Sequence, residues 1–548
     1  MTRIESIECN PDQMKQERLL WYAISSSLLL SLGWFSWFSG LVLFFGFIPL
    51  LFVEHFLYEN RATFSSRTVF RYSSIAFILW NIVSVYWIYH ATFTGAVATI
   101  IVNSFLMSFT FWLFHITHRQ FGNRIGYISF VVYWIAFEHI FLNCELNFPW
   151  LNLGNGLAYE IRFIQWYEYT GVLGGTVWLL VINVLLFLFL KDLKTEPRKP
   201  IRNVRAGLIL LVVFLPILFS IYRFYSYREK TDPQSIIILQ PNIDPYSEKF
   251  GSRSNEEQLT LLLSLADSLT DSETDYIVGP ETAIDDSIWL GSMNENYSIQ
   301  RIRNFIEPFP AVRFVTGIIS FRRCEADGML PPTARKFSDT TAYYEVFNSA
   351  IQVDHTRDIQ FYHKSMLVSG VERVPYPAVF GFMERFIIDL GGVSGSFGTQ
   401  AERNTLNDPS TGIQVGTAIC YESDFGEYYS GFVRNGANLM FVLTNDGWWV
   451  NRAGYRRHLA YSGLRAIETR RSIARSANTG ISCFINQKGE IIQSTDWWTV
   501  DVIQSTLNLN SKQTFYVRYG DYIGRISDFL ALFLLLYTVS RMLIKKKG

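Results

Sequence analysis

Apolar runs of about twenty residues recur along the first part of this chain, at 18–36, 39–57, 70–91, 94–117, 124–143, 171–190 and 206–225, and another covers 523–543. A hydrocarbon core roughly 30 Å thick is crossed by about 20 such residues in helical form. Only a helix, or a closed barrel, satisfies its own backbone groups in lipid. The pattern therefore predicts about eight transmembrane helices, the first two joined as a hairpin at Ser39-Gly40. The first run is not expected to be a cleavable signal, because it is long, has no small-residue cleavage pattern and is followed at once by further spans.

The placement of Lys and Arg predicts the orientation. The second connection carries Arg61, Arg67 and Arg71, and the fourth carries Arg119 and Arg124. The sixth holds Lys191, Lys194, Arg198, Lys199, Arg202 and Arg205, and the tail adds Lys545 to Lys547. The third connection, 90–95, has neither residue type. Even-numbered connections and both termini are thus expected in the cytoplasm, and the long segment between the seventh and eighth spans outside. Within the fifth span Glu138-His139 stands out, since ionisable groups there are paired or functional unless they snorkel to water. The Asn147-Phe148-Pro149-Trp150-Leu151 loop that follows is expected at the outer bilayer surface.

A length of 548 residues implies two or three units. The division expected is a membrane domain over 1–228 with seven helices, a soluble catalytic domain over 229–520, and a last helix with a basic tail over 521–548. Zero formal net charge favours no nucleic acid partner. The five cysteines show no CxxC or metal-ligand spacing, so neither a metal nor a disulfide framework is expected. After Arg228, β-rich runs at 235–241, 275–279, 313–320, 347–353, 415–420 and 439–444 alternate with helical periodicity at 254–270, 298–308, 427–436 and 457–472. Such alternation predicts a layered α/β sheet with helices on its faces. Several strands end in a polar or reactive residue, namely Glu281, Cys420 and Asn445-Asp446, and α/β sheets bind ligands at strand ends.

Three short segments carry chemistry. Gly279-Pro280-Glu281-Thr282 follows an apolar strand, Tyr362-His363-Lys364 is followed by Glu372 and Val374-Pro375, and Cys420-Tyr421-Glu422-Ser423 closes another strand. Each alone has a plain structural explanation as a turn, a solvated face or an inert core thiol. Together and in this order they resemble the nitrilase superfamily, whose catalytic set is Glu, Lys and Cys. Leu443-Thr444-Asn445-Asp446-Gly447-Trp448-Trp449, the helix from His458 to Arg471, and Arg475 to Gly480 resemble that family's downstream signatures. In this scheme Cys420 attacks an acyl carbonyl and forms a thioester. Glu281 takes the proton. Lys364 favours the thiolate and stabilises the oxyanion, helped by backbone N–H groups after Cys420. Glu372 holds Lys364 or the base in place.

With seven spans before it and one after, this arrangement resembles the apolipoprotein N-acyltransferase family along nearly the whole chain. The family's FPWL loop falls at 148–151, its LQPNI segment at 239–243, its base at Glu281, its lysine at Lys364, its second glutamate at Glu372 and its nucleophile motif at Cys420-Tyr421-Glu422. Two positions depart from the family pattern: Ser369-Gly370-Val371 precede Glu372 in place of Pro-Phe-Gly, and Phe250 stands where a tryptophan is usual.

The resemblance implies a polytopic α-helical membrane domain plus an extracytoplasmic αββα sandwich, in the bacterial inner membrane with the catalytic side periplasmic. It also implies a phospholipid acyl donor, a diacylglyceryl apolipoprotein acceptor, no cofactor, and a monomer. Tyr421 and Glu422 are expected to support the nucleophile. A site at the leaflet surface avoids lifting an acyl chain into water, a cost of about 0.8 kcal/mol per CH₂. Trp150, Phe250, Trp448-Trp449 and the 376–391 segment with Phe380 and Phe382 are therefore expected to face lipid. A charged residue at Phe380 or Phe382 is expected to slow turnover of lipid substrates, and unchanged rates would discount those positions. Competing readings are a membrane-tethered amidase that uses water as acceptor, and a transport or binding protein on a degenerate scaffold, which has no use for an intact Glu-Lys-Cys set.

Overall fold

A computed structural model describes residues 11–195, 200–249, 253–325, 329–338, 341–380, 396–450 and 453–547. Its first part is helical: α1 (Pro11–Leu32), α2 (Ile48–Glu59), α3 (Ser66–Val85), α4 (Phe93–Phe121), α5 (Asn123–Asn143), α6 (Tyr167–Thr195) and α7 (Pro200–Ser226). Among the described residues seven helical segments are long and apolar enough to cross a membrane: Gly40–Glu59, Ser66–His90, Phe93–Phe121, Asn123–Asn143, Tyr167–Leu193, Asn203–Ser226 and Tyr522–Lys545. The first expected span differs from expectation. Its helix begins earlier, at Pro11, ends at Leu32 and carries Lys15, Glu17 and Arg18 in its opening turns, so it falls short of that criterion although Leu19, Ala23 and Leu30 are buried in the bundle.

The soluble part comprises β1 (Pro233–Gln240), α8 (Asn255–Asp267), β2 (Tyr276–Val278), β3 (Ile284–Trp289), α9 (Tyr297–Ile306), β4 (Arg313–Cys324), β5 (Arg335–Lys336), β6 (Tyr343–Val353), β7 (Gln360–His363), α10 (Pro377–Phe380), β8 (Thr405–Asp408), β9 (Ile413–Ile419), α11 (Gly426–Arg434), β10 (Leu439–Thr444), α12 (Ala453–Thr469), β11 (Ile473–Ala477), β12 (Cys483–Ile485), β13 (Ile491–Ser494), β14 (Asp501–Asn508) and α13 (Phe515–Tyr519); α14 (Tyr522–Lys547) then returns to the bundle. One sheet runs β14-β1-β2-β4-β6-β5, with β3 on β4 and β7 on β6; the other runs β13-β12-β11-β10-β9-β8. β1, β2 and β4 are parallel, as are β9, β10 and β11. These central strands are nearly continuous apolar runs, as strands covered on both faces should be. The sheets face one another, with the Tyr276 ring edge-on to Phe441 at 5.4 Å. Helices α8 and α9 cover the outer face of the first sheet through Leu259, Leu262, Ile299 and Ile302, all buried with Ile237, Ile277 and Phe314.

Helices α11 and α12 cover the second sheet, and beyond them the core does not stop. Trp150, Leu157 and Tyr167 from the bundle belong to one buried cluster with Phe432, Leu464 and Ile467. A polar hub reinforces this seam. Glu168 at the start of α6 accepts hydrogen bonds from Arg223 of α7 at 2.6 Å and from Arg470 after α12 at 2.8 Å, and Arg470 also donates to Gln165 and to the Gln487 carbonyl. Replacing Glu168 by Gln strands two guanidinium groups. The expected loss is about 3 kcal/mol, the low end for a broken buried pair because Arg223 is 31% exposed. It would be read as a lower thermal midpoint in detergent, and an unchanged midpoint would contradict it.

Candidate active site

The ends of β2, β7 and β9 converge where the second sheet meets the bundle. After β2 the chain turns sharply at Glu281-Thr282, with Thr282 at φ +47°. The turn rests against Gly317 of β4, where a Cβ would come within 2.4 Å of the Thr282 nitrogen, so no side chain fits there. After β9, Cys420 itself adopts φ +51° and opens a short turn over Cys420–Asp424. Left-handed backbone at a non-glycine residue costs of order 1–3 kcal/mol and persists only when the surroundings impose it.

Glu422 does much of the imposing. One carboxylate oxygen accepts from the Ser365 and Met366 amides (2.7 and 3.2 Å) and from the Tyr362 and Tyr428 hydroxyls (2.7 and 2.9 Å). The other accepts from the Ile419 amide at 2.8 Å. This buried group ties the Cys420 turn to the loop that carries Lys364. On the far side of Cys420, His458 of α12 bridges the Cys420 carbonyl (3.1 Å) and Asp446 (2.9 Å), and Arg475 donates to Asp446 at 2.7 Å. Burial would raise the Asp446 carboxyl, but Arg475 and His458 hold it well below its ordinary value.

At the centre, the Lys364 ammonium donates to Glu281 at 3.0 Å and to Glu372 at 2.7 Å. Burial pulls this ammonium down, yet the two carboxylates outweigh it and hold Lys364 well above its usual range, so it stays charged. Glu372 is fixed in turn by the Val368 amide at 2.8 Å. Burial pushes the Cys420 thiol well above its ordinary value, Glu281 adds to that, and Lys364 and the Thr444 hydroxyl only partly oppose it. Desolvation and a facing carboxylate outweigh one ammonium. At neutral pH the Cys420 thiol therefore keeps its proton.

Two contributors were not read from the sequence. Asn348 of β6 donates to Glu281 at 2.8 Å and reaches Glu372 at 3.5 Å. An Asn within the otherwise apolar strand Val346-Phe347-Asn348-Ser349-Ala350 was the available signal. Lys249, buried beside Glu281, donates to the Glu281 carbonyl at 3.4 Å and to the Thr282 hydroxyl, and burial lowers it to about 8.

A cavity of about 270 Å³ leads away from Cys420 and Tyr421 between α4 and the 366–376 loop, lined mainly by apolar side chains that include Trp87, Phe148, Trp150 and Trp449. Trp150 meets Trp449 at 5.5 Å and Trp87 at 4.9 Å in edge-to-face contacts, and stacks towards Tyr421 at 6.4 Å. The Tyr421 hydroxyl donates to the Asn147 carbonyl at 2.9 Å. Trp448 points elsewhere, to Tyr246, whose hydroxyl donates to the Trp448 carbonyl at 2.8 Å and to that of His90 at 3.1 Å. Phe250 and Phe382, and the side chain of Phe380, lie outside the described residues.

Glu138 does not snorkel. Its carboxylate is 2% exposed and accepts from Trp134 (3.0 Å), the Leu153 amide (2.8 Å) and Thr176 (2.6 Å), anchoring the loop that presents Trp150. His139 pairs with Asp528 of α14 at 2.7 Å. Among the described residues one group, His139, Glu427 and Asp521, brings possible metal ligands within 4.8 Å of one another. It lies at the α5–α14 junction rather than at the thiol, and Arg525 already occupies Glu427 at 3.0 Å.

Residues 26–185 match the family described as Apolipoprotein N-acyltransferase N-terminal domain, and residues 238–515 match Carbon-nitrogen hydrolase. An apolipoprotein N-acyltransferase of Chlorobaculum tepidum is 29% identical over 83% of this chain and 85% of that protein. Proteins of the same name from Thermotoga maritima and Geobacter metallireducens are each 26% identical, over 94% and 72% of this chain and 92% and 70% of theirs.

Proposed function

The chain belongs to the carbon–nitrogen hydrolases, in their apolipoprotein N-acyltransferase family, and we propose that Cys420 carries a fatty acyl group from a phospholipid to the α-amine of the diacylglyceryl-cysteine that begins an apolipoprotein. The protein is a multi-pass membrane acyltransferase. The observation that supports the donor is the largely apolar cavity, which joins the thiol to a small-residue face of α4.

In the first half-reaction the Cys420 sulfur attacks the ester carbonyl carbon while Glu281 accepts the thiol proton. Lys364 faces the negative charge that develops on the carbonyl oxygen. The carbon–oxygen bond to glycerol breaks, the leaving alkoxide takes the proton from Glu281, and a lysophospholipid departs. In the second half the acceptor amine attacks the thioester carbon, Glu281 removes its proton, the carbon–sulfur bond breaks, and Glu281 passes that proton to the departing sulfur to restore the thiol. Glu372 and Asn348 position Lys364 and Glu281, Glu422 positions the two loops, and Tyr421 with Trp150 and Trp449 forms the cavity's inner wall. The division proposed is 1–228, 229–520 and 521–548, with the catalytic part on the periplasmic face, as the Lys and Arg distribution supports.

Incubation of the purified protein with phosphatidylethanolamine, followed by the mass of the Cys420 peptide, tests this. A hydroxylamine-labile fatty acyl adduct that an amine-terminated lipopeptide discharges is the expected result. No adduct, with amide hydrolysis in its place, would favour the amidase reading.

Glu281→Gln separates base from charge. Removing the facing carboxylate lowers the thiol pKa, so alkylation of Cys420 by a small neutral reagent should quicken at pH 8 while acyl transfer falls about 10²–10⁴-fold. Acyl transfer that stays near the wild-type rate would mean that Glu281 is not the proton acceptor, and slower alkylation would contradict the electrostatic account of the thiol.

A further inference from the structure

We propose that the Asn103–Asn81 amide pair forms the floor of the cavity and sets the length of acyl chain that Cys420 accepts; this rests on the acyl-transfer reading above. The residues at the start of α4 that line the cavity are all small: the capping Thr92, then Thr94, Gly95, Ala98 and Thr99 of the helix. They leave a groove down one face of the helix, and it ends at Val102 and Asn103. From Thr92 to Asn103 the helix rises about 16 Å at 1.5 Å per residue. That is close to the roughly 15 Å of hydrocarbon in one leaflet, half of a 30 Å core.

What lies at the bottom is polar and closed. Asn103 is 1% exposed, and its amide nitrogen donates to Asn81 of α3 at 2.8 Å. Asn81 donates to the Phe77 carbonyl at 2.9 Å and sits 3.6 Å from the Met107 sulfur. The side-chain oxygen of Asn103 has no hydrogen-bond partner although it is buried. One turn further on, Met107 and Phe111 are buried in the bundle. An aliphatic chain that ends above this level meets mainly small and apolar side chains, with Asn147 the other amide in the lining, beside the Tyr421 end. A longer one must press methylenes onto an unsatisfied amide dipole and into packed side chains, and both are unfavourable.

An amide pair between helices can serve simply as interhelical glue, so the test must read length preference rather than activity alone. In one incubation, wild-type protein is offered an equimolar mixture of phosphatidylethanolamines carrying lauroyl, palmitoyl, stearoyl and arachidoyl chains, and the Cys420 peptide masses give the ratios. Because the ratios are internal, a loss of folded protein does not alter them. Wild type should discriminate against arachidoyl relative to palmitoyl by about tenfold or more, the scale a hydrophobic pocket achieves for extra methylenes. Asn103→Ala should recover arachidoyl by a similar factor, and Asn103→Gln should shift the preference towards lauroyl. Identical ratios in all three proteins would overturn the proposal and leave the pair as glue. A wild-type protein that forms no fatty acyl adduct with any of the four overturns the donor reading itself.

Discussion

Cys420→Ala protein should form no acyl adduct and should lose transfer on the order of 10⁵- to 10⁶-fold, as expected when a covalent nucleophile is removed outright. Little else should change. The turn around the thiol is fixed by groups that do not involve sulfur, namely Glu422 and His458. The variant should therefore still melt cooperatively, within about 1 kcal/mol of wild type for a surface-free loss of one atom. It should also still bind phospholipid. Residual transfer above a hundredth of the wild-type rate would mean that the acyl group never rests on this residue.

Lys364→Met should be the more damaging change for the molecule as a whole. Glu281 and Glu372 are 6% and 7% exposed, and both oxygens that face Lys364 would be left without their cation. Breaking a buried pair by removing one partner costs about 3–5 kcal/mol, here shared between two carboxylates that would repel each other. Turnover should fall by about 10²–10³-fold or more, the scale of losing an oxyanion donor. Alkylation of Cys420 should slow as well, because Lys364 is the cation that opposes the rise in the thiol's pKa. That is the opposite sign from Glu281→Gln, so the pair of variants separates the two charges. Should Lys364→Met quicken alkylation, the electrostatic account of the thiol is wrong.

The long apolar runs and the strand ends were legible because their signals are local. Twenty apolar residues specify a span whatever surrounds them, and Glu281, Lys364 and Cys420 each follow a run with clear strand character. The structure gathers these three with Glu372 into one buried group. What escaped the sequence depends on contacts between distant segments. Asn348 acts across 67 residues on Glu281, and the hub at Glu168 reaches 302 residues to Arg470. The first span was misplaced at its ends because charged opening turns extend a helix without adding hydropathy. How strongly burial raises the Cys420 thiol was not legible either, because a sequence shows which charges are near in order, and nothing of how deeply they are buried.

The shared core between bundle and sandwich has a consequence for biosynthesis. Trp150, Leu157 and Tyr167 leave the ribosome hundreds of residues before Phe432, Leu464 and Ile467, with which they share one buried cluster. The helices must therefore wait in the bilayer with an unfinished upper surface until the second sheet has folded and been laid onto it. α14 is made last, and its His139–Asp528 and Glu427–Arg525 pairs fasten both halves at once. Assembly of this enzyme should thus depend on handling by the insertion machinery late in synthesis, and truncation before Asp528 should yield a chain that is inserted and still cleared by quality control.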